Sequence, residues 1–254
     1  MKRKSQNITS KIWPVLAVAV LLILWQAASG LGLVPGYLLP SPIDVVKAFV
    51  KDFPLLMENA GVTLVEAFVG LFVGILTGFL MAVVMDRFDK LYQAFYPLIV
   101  LTQTVPTVAI APLLVLWFGY EMLPKVILIV IATFFPIAVS LLDGFKSADK
   151  DTISLMRSVG ASQIQIFRYV KFPGALGQFF ASLRISVSYA VVGAVISEWL
   201  GGFKGLGVYM TRVKKAFSFD KMFAVIFLIS ALSLMLMWAV NVLQRKCMPW
   251  EETK

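Results

Sequence analysis

Six stretches of this chain, near residues 12–30, 61–85, 93–118, 124–143, 177–199 and 222–243, stay apolar long enough to cross a membrane. A bilayer core of about 30 Å takes roughly 20 helical residues, and a backbone in hydrocarbon must satisfy its own hydrogen bonds. Runs of this length therefore fold as transmembrane α-helices, and the expected class is an all-α integral membrane protein with six spans. Composition agrees, since 59% of the residues are apolar, only 15% are charged and the mean hydropathy is +0.86.

The same composition removes whole classes of chemistry. The chain has no histidine and one cysteine, Cys247, which excludes His-based catalysis, Cys/His zinc sites and an intramolecular disulfide, and no metal site is expected. No G-x4-G-K-[ST] pattern occurs, so the chain is not expected to bind or hydrolyse ATP itself. A net charge of +9 would suggest nucleic acid in a soluble protein. Here the basic residues sit in short loops beside apolar runs, as membrane topology requires, and no nucleic-acid partner is expected.

The distribution of Lys and Arg sets the orientation. With a cytoplasmic N-terminus, the inside segments hold fourteen of the 23, including Lys2, Arg3, Lys4, Lys11, Arg157, Arg168, Lys171 and Lys254, while the outside holds eight, among them Lys47, Lys51, Lys125 and Lys204. Arg184 falls within the fifth span. Lys2-Arg3-Lys4 before the first apolar run resembles a signal peptide, but with five more spans behind it the segment reads as an uncleaved anchor. Both termini are expected in the cytoplasm, and residues 144–176 become the longest inside loop.

That loop is patterned as a folded element. Residues from Asp149 to Met156 favour helix, Gly160-Ala161-Ser162 breaks it, and a second helical run reaches Val170 before Pro173 stops it. Ile153, Leu155, Met156, Val159, Ile164, Ile166 and Phe167 give the two helices apolar side chains that need a place to bury. A groove in another protein would take them, and an amphipathic helix lying on lipid headgroups would too.

The spacing from Gly160, nine residues to Val170, then one residue to Phe172-Pro173, resembles the EAA loop of bacterial ABC-transporter permeases, E-A-A-x3-G-x9-I-x-L-P. Ser154, Leu155 and Met156 stand where that family has Glu-Ala-Ala. "LPSPIDVVKAF", "TVPTVAIAPLLVLWFG", "RSVGAS" and "SEWLGGFKGLGVYM" follow in the order found in permeases of nitrate, sulfonate, taurine and pyrimidine-precursor importers. The resemblance implies a permease of the binding-protein-dependent importer type in the bacterial inner membrane, working as a homodimer. Two ABC ATPase subunits carrying ATP and Mg, and an extracytoplasmic substrate-binding protein, are the implied partners. Ser154, Leu155, Met156, Arg157, Val159, Gly160 and Ala161 would form the coupling loop docked on the ATPase. The substrate would be a small sulfonate, taurine or nitrate-like anion, or a thiamine-precursor pyrimidine. Three parts are expected: an anchor and external amphipathic segment (1–58), a permease core (59–246) and a cytoplasmic tail (247–254).

Other features carry two readings each. Gly70, Gly74 and Gly78 make overlapping G-x-x-x-G units that let a neighbouring helix approach, a packing role rather than a substrate site. Pro106 and Pro112 interrupt the third span beside Thr102, Gln103, Thr104 and Thr107, which could line a pathway or simply bond to their own helix. Arg184 is expected to snorkel, and Glu198 to lie at the interface rather than buried. The alternative of an ion-coupled secondary transporter would want membrane-embedded carboxylates, and the spans offer only Glu66 and, at an end, Glu198.

Overall fold

The computed structural model describes residues 8–32, 34–36 and 38–250, with side chains from Trp13 onward. Lys2, Arg3, Lys4, the Lys11 side chain, Lys254 and the end of the expected tail lie outside the described residues. Among the described residues every regular element is helical. The chain divides into two compact units, one of residues up to Met57 with Tyr209–Leu228, the other of Glu58–Val208 with the chain from Ile229.

In the first unit, α1 (Ile8–Gly30) is a candidate span and α2 (Pro42–Lys51) a short amphipathic helix. The N-cap Ser41 accepts from the Asp44 N–H at 3.2 Å, and Pro42 sits where a helix has no use for its missing N–H. Trp25 donates its indole N–H to the Pro40 carbonyl and packs on Phe223 and Phe227, ring centroids 5.6 and 5.9 Å away. Asp52 receives the Tyr209 hydroxyl and pairs with Lys221, both at 2.7 Å. Burial pushes its carboxyl up, but the bonds from Lys221 and Tyr209 outweigh that and hold it below the ordinary range.

The second unit is built around α6 (Met122–Lys146). Gly70, Gly74 and Gly78 of α3 (Phe53–Arg87) lie against Ile129, Thr133 and Ile137 of α6, so both rows advance by four residues together and the helices run parallel. A Cβ at Gly74 would collide with the Thr133 hydroxyl. α6 also meets α9 (Phe172–Gly201) through Gly144 against Ala175 and Gly193 against Ile129. Small residues at the crossings bring backbones close, which is where van der Waals attraction between helices in lipid comes from.

The third expected span is not one straight helix. It is α4 (Asp89–Thr104) followed by α5 (Thr107–Phe118), bent by 98° at the break. Pro106 forces Val105 into extended backbone (φ −85°, ψ 120°) and ends α4, while Pro112 stays inside α5. Among the described residues five helices qualify singly as spans, or six spans if the bent pair is one.

Pro173 does not stop the loop helix as expected. After α7 (Lys150–Ser158) and α8 (Gln163–Ile166), residues Phe167–Lys171 form a π-helical turn that runs straight into α9, with Pro173 in its first turn. The extra residue of the turn moves the bonding to i→i−5, with the Phe172 N–H on the Phe167 carbonyl, and a proline just beyond it costs the ladder little. The last element pair is α10 (Leu206–Lys215) and α11 (Phe219–Cys247).

Candidate functional site

The chain between α6 and α9 is an elbow that satisfies its own backbone. The Asp149 carboxylate caps α7, accepting from the N–H groups of Asp151 and Thr152 at 3.2 Å each and from the Thr152 hydroxyl. The Thr152 hydroxyl bond first, then the two backbone bonds, hold this carboxyl below the usual range. At the other end of α7, Gly160 adopts φ +84°, the left-handed turn that its place between two helices calls for. Its N–H bonds to the Arg157 carbonyl and that of Ala161 to Met156, the pairing of a Schellman cap. Ser162 then opens α8 in a capping box with Gln165, at 2.7 and 3.3 Å.

With the backbone closed locally, the apolar side chains divide. Ile166 is buried and Phe167 meets Phe145 edge to face, centroids 5.1 Å apart. Leu155, Val159 and Ile164 remain 65%, 75% and 79% exposed. Met156 is half-buried, and Ser154, Arg157 and Gly160 are exposed with Ala161 half-buried beside them. Ser154 back-bonds to the Lys150 carbonyl. Ile164 belongs to this exposed apolar set although it lies outside the loop residues matched to the EAA pattern. It was legible in the sequence as one of the loop's apolar side chains, on the far side of the Gly160 turn from Leu155. Lys171 ties the elbow to α3 through both oxygens of Asp86 at 2.8 Å.

The broken span opens a cleft of about 310 Å³ lined by Thr102, Gln103 and Thr107 together with Tyr189 and Gly193 of α9. Thr104 is not part of that lining; it is exposed and bonds to the Leu101 carbonyl. Thr102 lines the cleft and also bonds to the Ile99 carbonyl of its own helix.

A third constellation was misplaced in the sequence reading. Glu198 is not interfacial; it is 1% exposed. Its Oε1 accepts from the Thr63 hydroxyl at 2.7 Å and its Oε2 from the Gly207 N–H at 2.6 Å. Thr63 in turn accepts from the Leu206 N–H, and Asn59 from the Gly205 N–H, both at 2.9 Å. Three successive backbone donors are therefore held by three side chains. A Cβ at Gly205 would strike the Glu198 carboxylate and one at Gly207 the Val195 carbonyl oxygen, which explains the last two glycines of "SEWLGGFKGLG". Lys125, counted among the outside residues, is likewise buried, pairing with Glu66 at 2.5 Å. Both corrections have one cause: an end-of-span charge can be buried when tertiary partners satisfy it, and hydropathy cannot see partners 59 or 135 residues away.

Comparison with known proteins fits this architecture. The family model described as "Binding-protein-dependent transport system inner membrane component" matches residues 74–248. The formylaminopyrimidine transport permease protein ThiX of Halalkalibacterium halodurans is 36% identical, covering 99% of both chains. A probable ABC transporter permease protein of Haemophilus influenzae is 36% identical over 90% of this chain and 93% of its own. The taurine transport system permease protein TauC of Escherichia coli is 30% identical, covering 92% and 87%. Among solved structures, an inward-facing conformation of the MetNI methionine ABC transporter superposes with a TM-score of 0.66 at 20% identity, over 77% of this chain and 97% of that one. A family match across most of the length and relatives a third identical from end to end leave one assignment: this chain belongs to the binding-protein-dependent inner membrane transport components, and is a permease subunit of an ABC importer.

Proposed function

We propose that the chain forms the translocation pathway of an ATP-driven importer as one half of a homodimer, with an ABC ATPase docked on the α7–α8 elbow of each copy. The observation that carries this is the elbow itself: its backbone is capped from within while Leu155, Val159 and Ile164 stay exposed. An isolated loop has no reason to display three large apolar side chains on a rigid turn, whereas a helix-in-groove contact needs them. ATP and Mg belong to the partner, and this chain performs no hydrolysis.

The cleft at Thr102, Gln103 and Thr107 is the proposed pathway lining. Both termini and residue 160 lie in the cytoplasm of a bacterial inner membrane, with residues 45 and 210 outside and facing a substrate-binding protein. Residues 1–58 serve as anchor and external segment, 59–246 as permease core. The cargo is a thiamine-precursor pyrimidine of the formylaminopyrimidine kind, which the likeness to ThiX along 99% of both chains supports; a small sulfonate is the other substrate on this reading.

The test is co-purification and uptake. Leu155→Asp should abolish capture of the cognate ATPase, Arg157→Ala should weaken it slightly, and capture unchanged by Leu155→Asp would remove the elbow as the docking site.

A further inference from the structure

A groove in the second unit has all the parts of a lipid site. It measures about 320 Å³ and is walled by apolar side chains alone, including Phe68 and Phe72 of α3, Leu183 and Val187 of α9, and Ala239 and Leu243 of α11. Beside it, directly after Leu183, stands Arg184. Its Nη1 donates to the Asn241 Oδ1 at 3.1 Å and to the Gln244 Oε1, both on α11.

These acceptors are neutral amide oxygens. Among the described residues no carboxylate lies within ion-pair reach of Arg184. A guanidinium carries five N–H donors in a planar fork, and those on Nη2 and Nε have no protein acceptor among the described residues. A cation within a span is costly unless it meets a counter-charge, and simple snorkelling does not account for its being fixed at the rim of an apolar groove. Lys246, in the last turn of α11, adds positive charge at the same end of the helix.

We infer that the α3–α9–α11 groove binds an anionic phospholipid, with its phosphodiester on the Arg184 fork and an acyl chain along Phe68, Phe72, Val187 and Ala239. Apolar length and cationic rim match the two halves of such a molecule, and basic pockets between spans are a known form of lipid recognition. The fork geometry favours phosphate over a point-charge contact. The net negative charge of phosphatidylglycerol, against the Arg184 fork and Lys246, selects it over zwitterionic lipids.

The experiment is native mass spectrometry of the full chain, delipidated in detergent and titrated with phosphatidylglycerol, phosphatidylcholine and inorganic phosphate in parallel. One phosphatidylglycerol per chain is expected, with tenfold or weaker retention of phosphatidylcholine and none of phosphate alone. Arg184→Gln should lower phosphatidylglycerol occupancy at least tenfold and Arg184→Lys should restore part of it. Ala239→Trp, which fills the groove and leaves the arginine, should lose the lipid as fully. Equal retention by the wild type and both Arg184→Gln and Ala239→Trp would overturn the inference, as would indifference to headgroup charge. So would disulfide crosslinking between copies through Ala239→Cys in a Cys247→Ser chain, because a second copy would then occupy the groove.

Discussion

Glu198 is 1% exposed, and the loop it holds has its backbone N–H groups bound by side chains of α3 and by Glu198 itself; Val159 is 75% exposed, and the backbone around it is bound by its own turn. The first region spends polar side chains from distant parts of the sequence on fixing one loop. The second uses only neighbours to fix its shape and leaves its apolar groups outward. Polar groups buried at membrane depth must be satisfied internally, so the clamp is a stability element. Apolar groups left on a rigid elbow stabilise nothing within the chain, and that is what supports the external contact proposed for it. Damage to the clamp should therefore appear as lost folding, and damage to the elbow as lost coupling.

Lys125→Ala should produce the largest effect. It leaves the Glu66 carboxylate buried without its cation, and breaking a buried pair in this way costs about 3–5 kcal/mol. A fall in melting temperature or loss of folded protein in detergent is expected, and Glu66→Gln combined with Lys125→Met should recover most of it. Glu198→Leu should follow, because the Thr63 hydroxyl and the Gly207 N–H each lose an acceptor, about 1–3 kcal/mol apiece. If either variant melts like wild type while transport fails, the clamp belongs with the elbow and the contrast between them collapses.

Gly74→Leu is intermediate. It forces α3 off Thr133 of α6, and overpacking of this kind costs about 1–3 kcal/mol. Yield and melting temperature in detergent measure it. Gly160→Val should be smaller in stability, about 1 kcal/mol of strain at φ +84°, with nothing else nearby to collide. The ATPase should still be captured while uptake is lost, a split that separates shape from contact within the elbow.

The smallest effect is pH dependence at the α7 cap. The Asp149 carboxyl is held below its unfolded value, so its contribution is complete above that value, about pH 4, and disappears as pH falls through the lower folded one. The protection of the α7 amides against hydrogen exchange, taken relative to the intrinsic rate at each pH, should fall over that acidic window. Asp149→Asn should remove most of the dependence, and an unchanged acid profile in that variant would show that some other group titrates.

Much of this was legible in sequence because it is local. The spans come from hydropathy, the α7–α8 elbow from Gly160 and its neighbours, and the close approach of α3 from glycines four apart. What escaped was tertiary. The clamp needs Thr63 to meet Glu198, and Glu66 to meet Lys125, pairs that no window of the sequence contains together. The bend of α4 and α5 was visible as two prolines, but only the backbone says that Pro106 breaks the helix and Pro112 does not. Pro173 misled for a related reason: a proline marks a helix end unless an inserted residue before it relaxes the ladder, and the insertion has no sequence signature of its own.

That inserted residue makes the segment Phe167–Lys171 a slack length of chain. An α-helix turns by 100° per residue, so deleting one residue in the middle of α9 would swing everything beyond it away from α6. Deleting Tyr169 is a different operation, because the wide turn can tighten to an ordinary one and absorb the loss, leaving Ala175 against Gly144 and Gly193 against Ile129. The stretch where elbow meets span is thus a natural place to shorten or tune the connection without rewriting the register of α9.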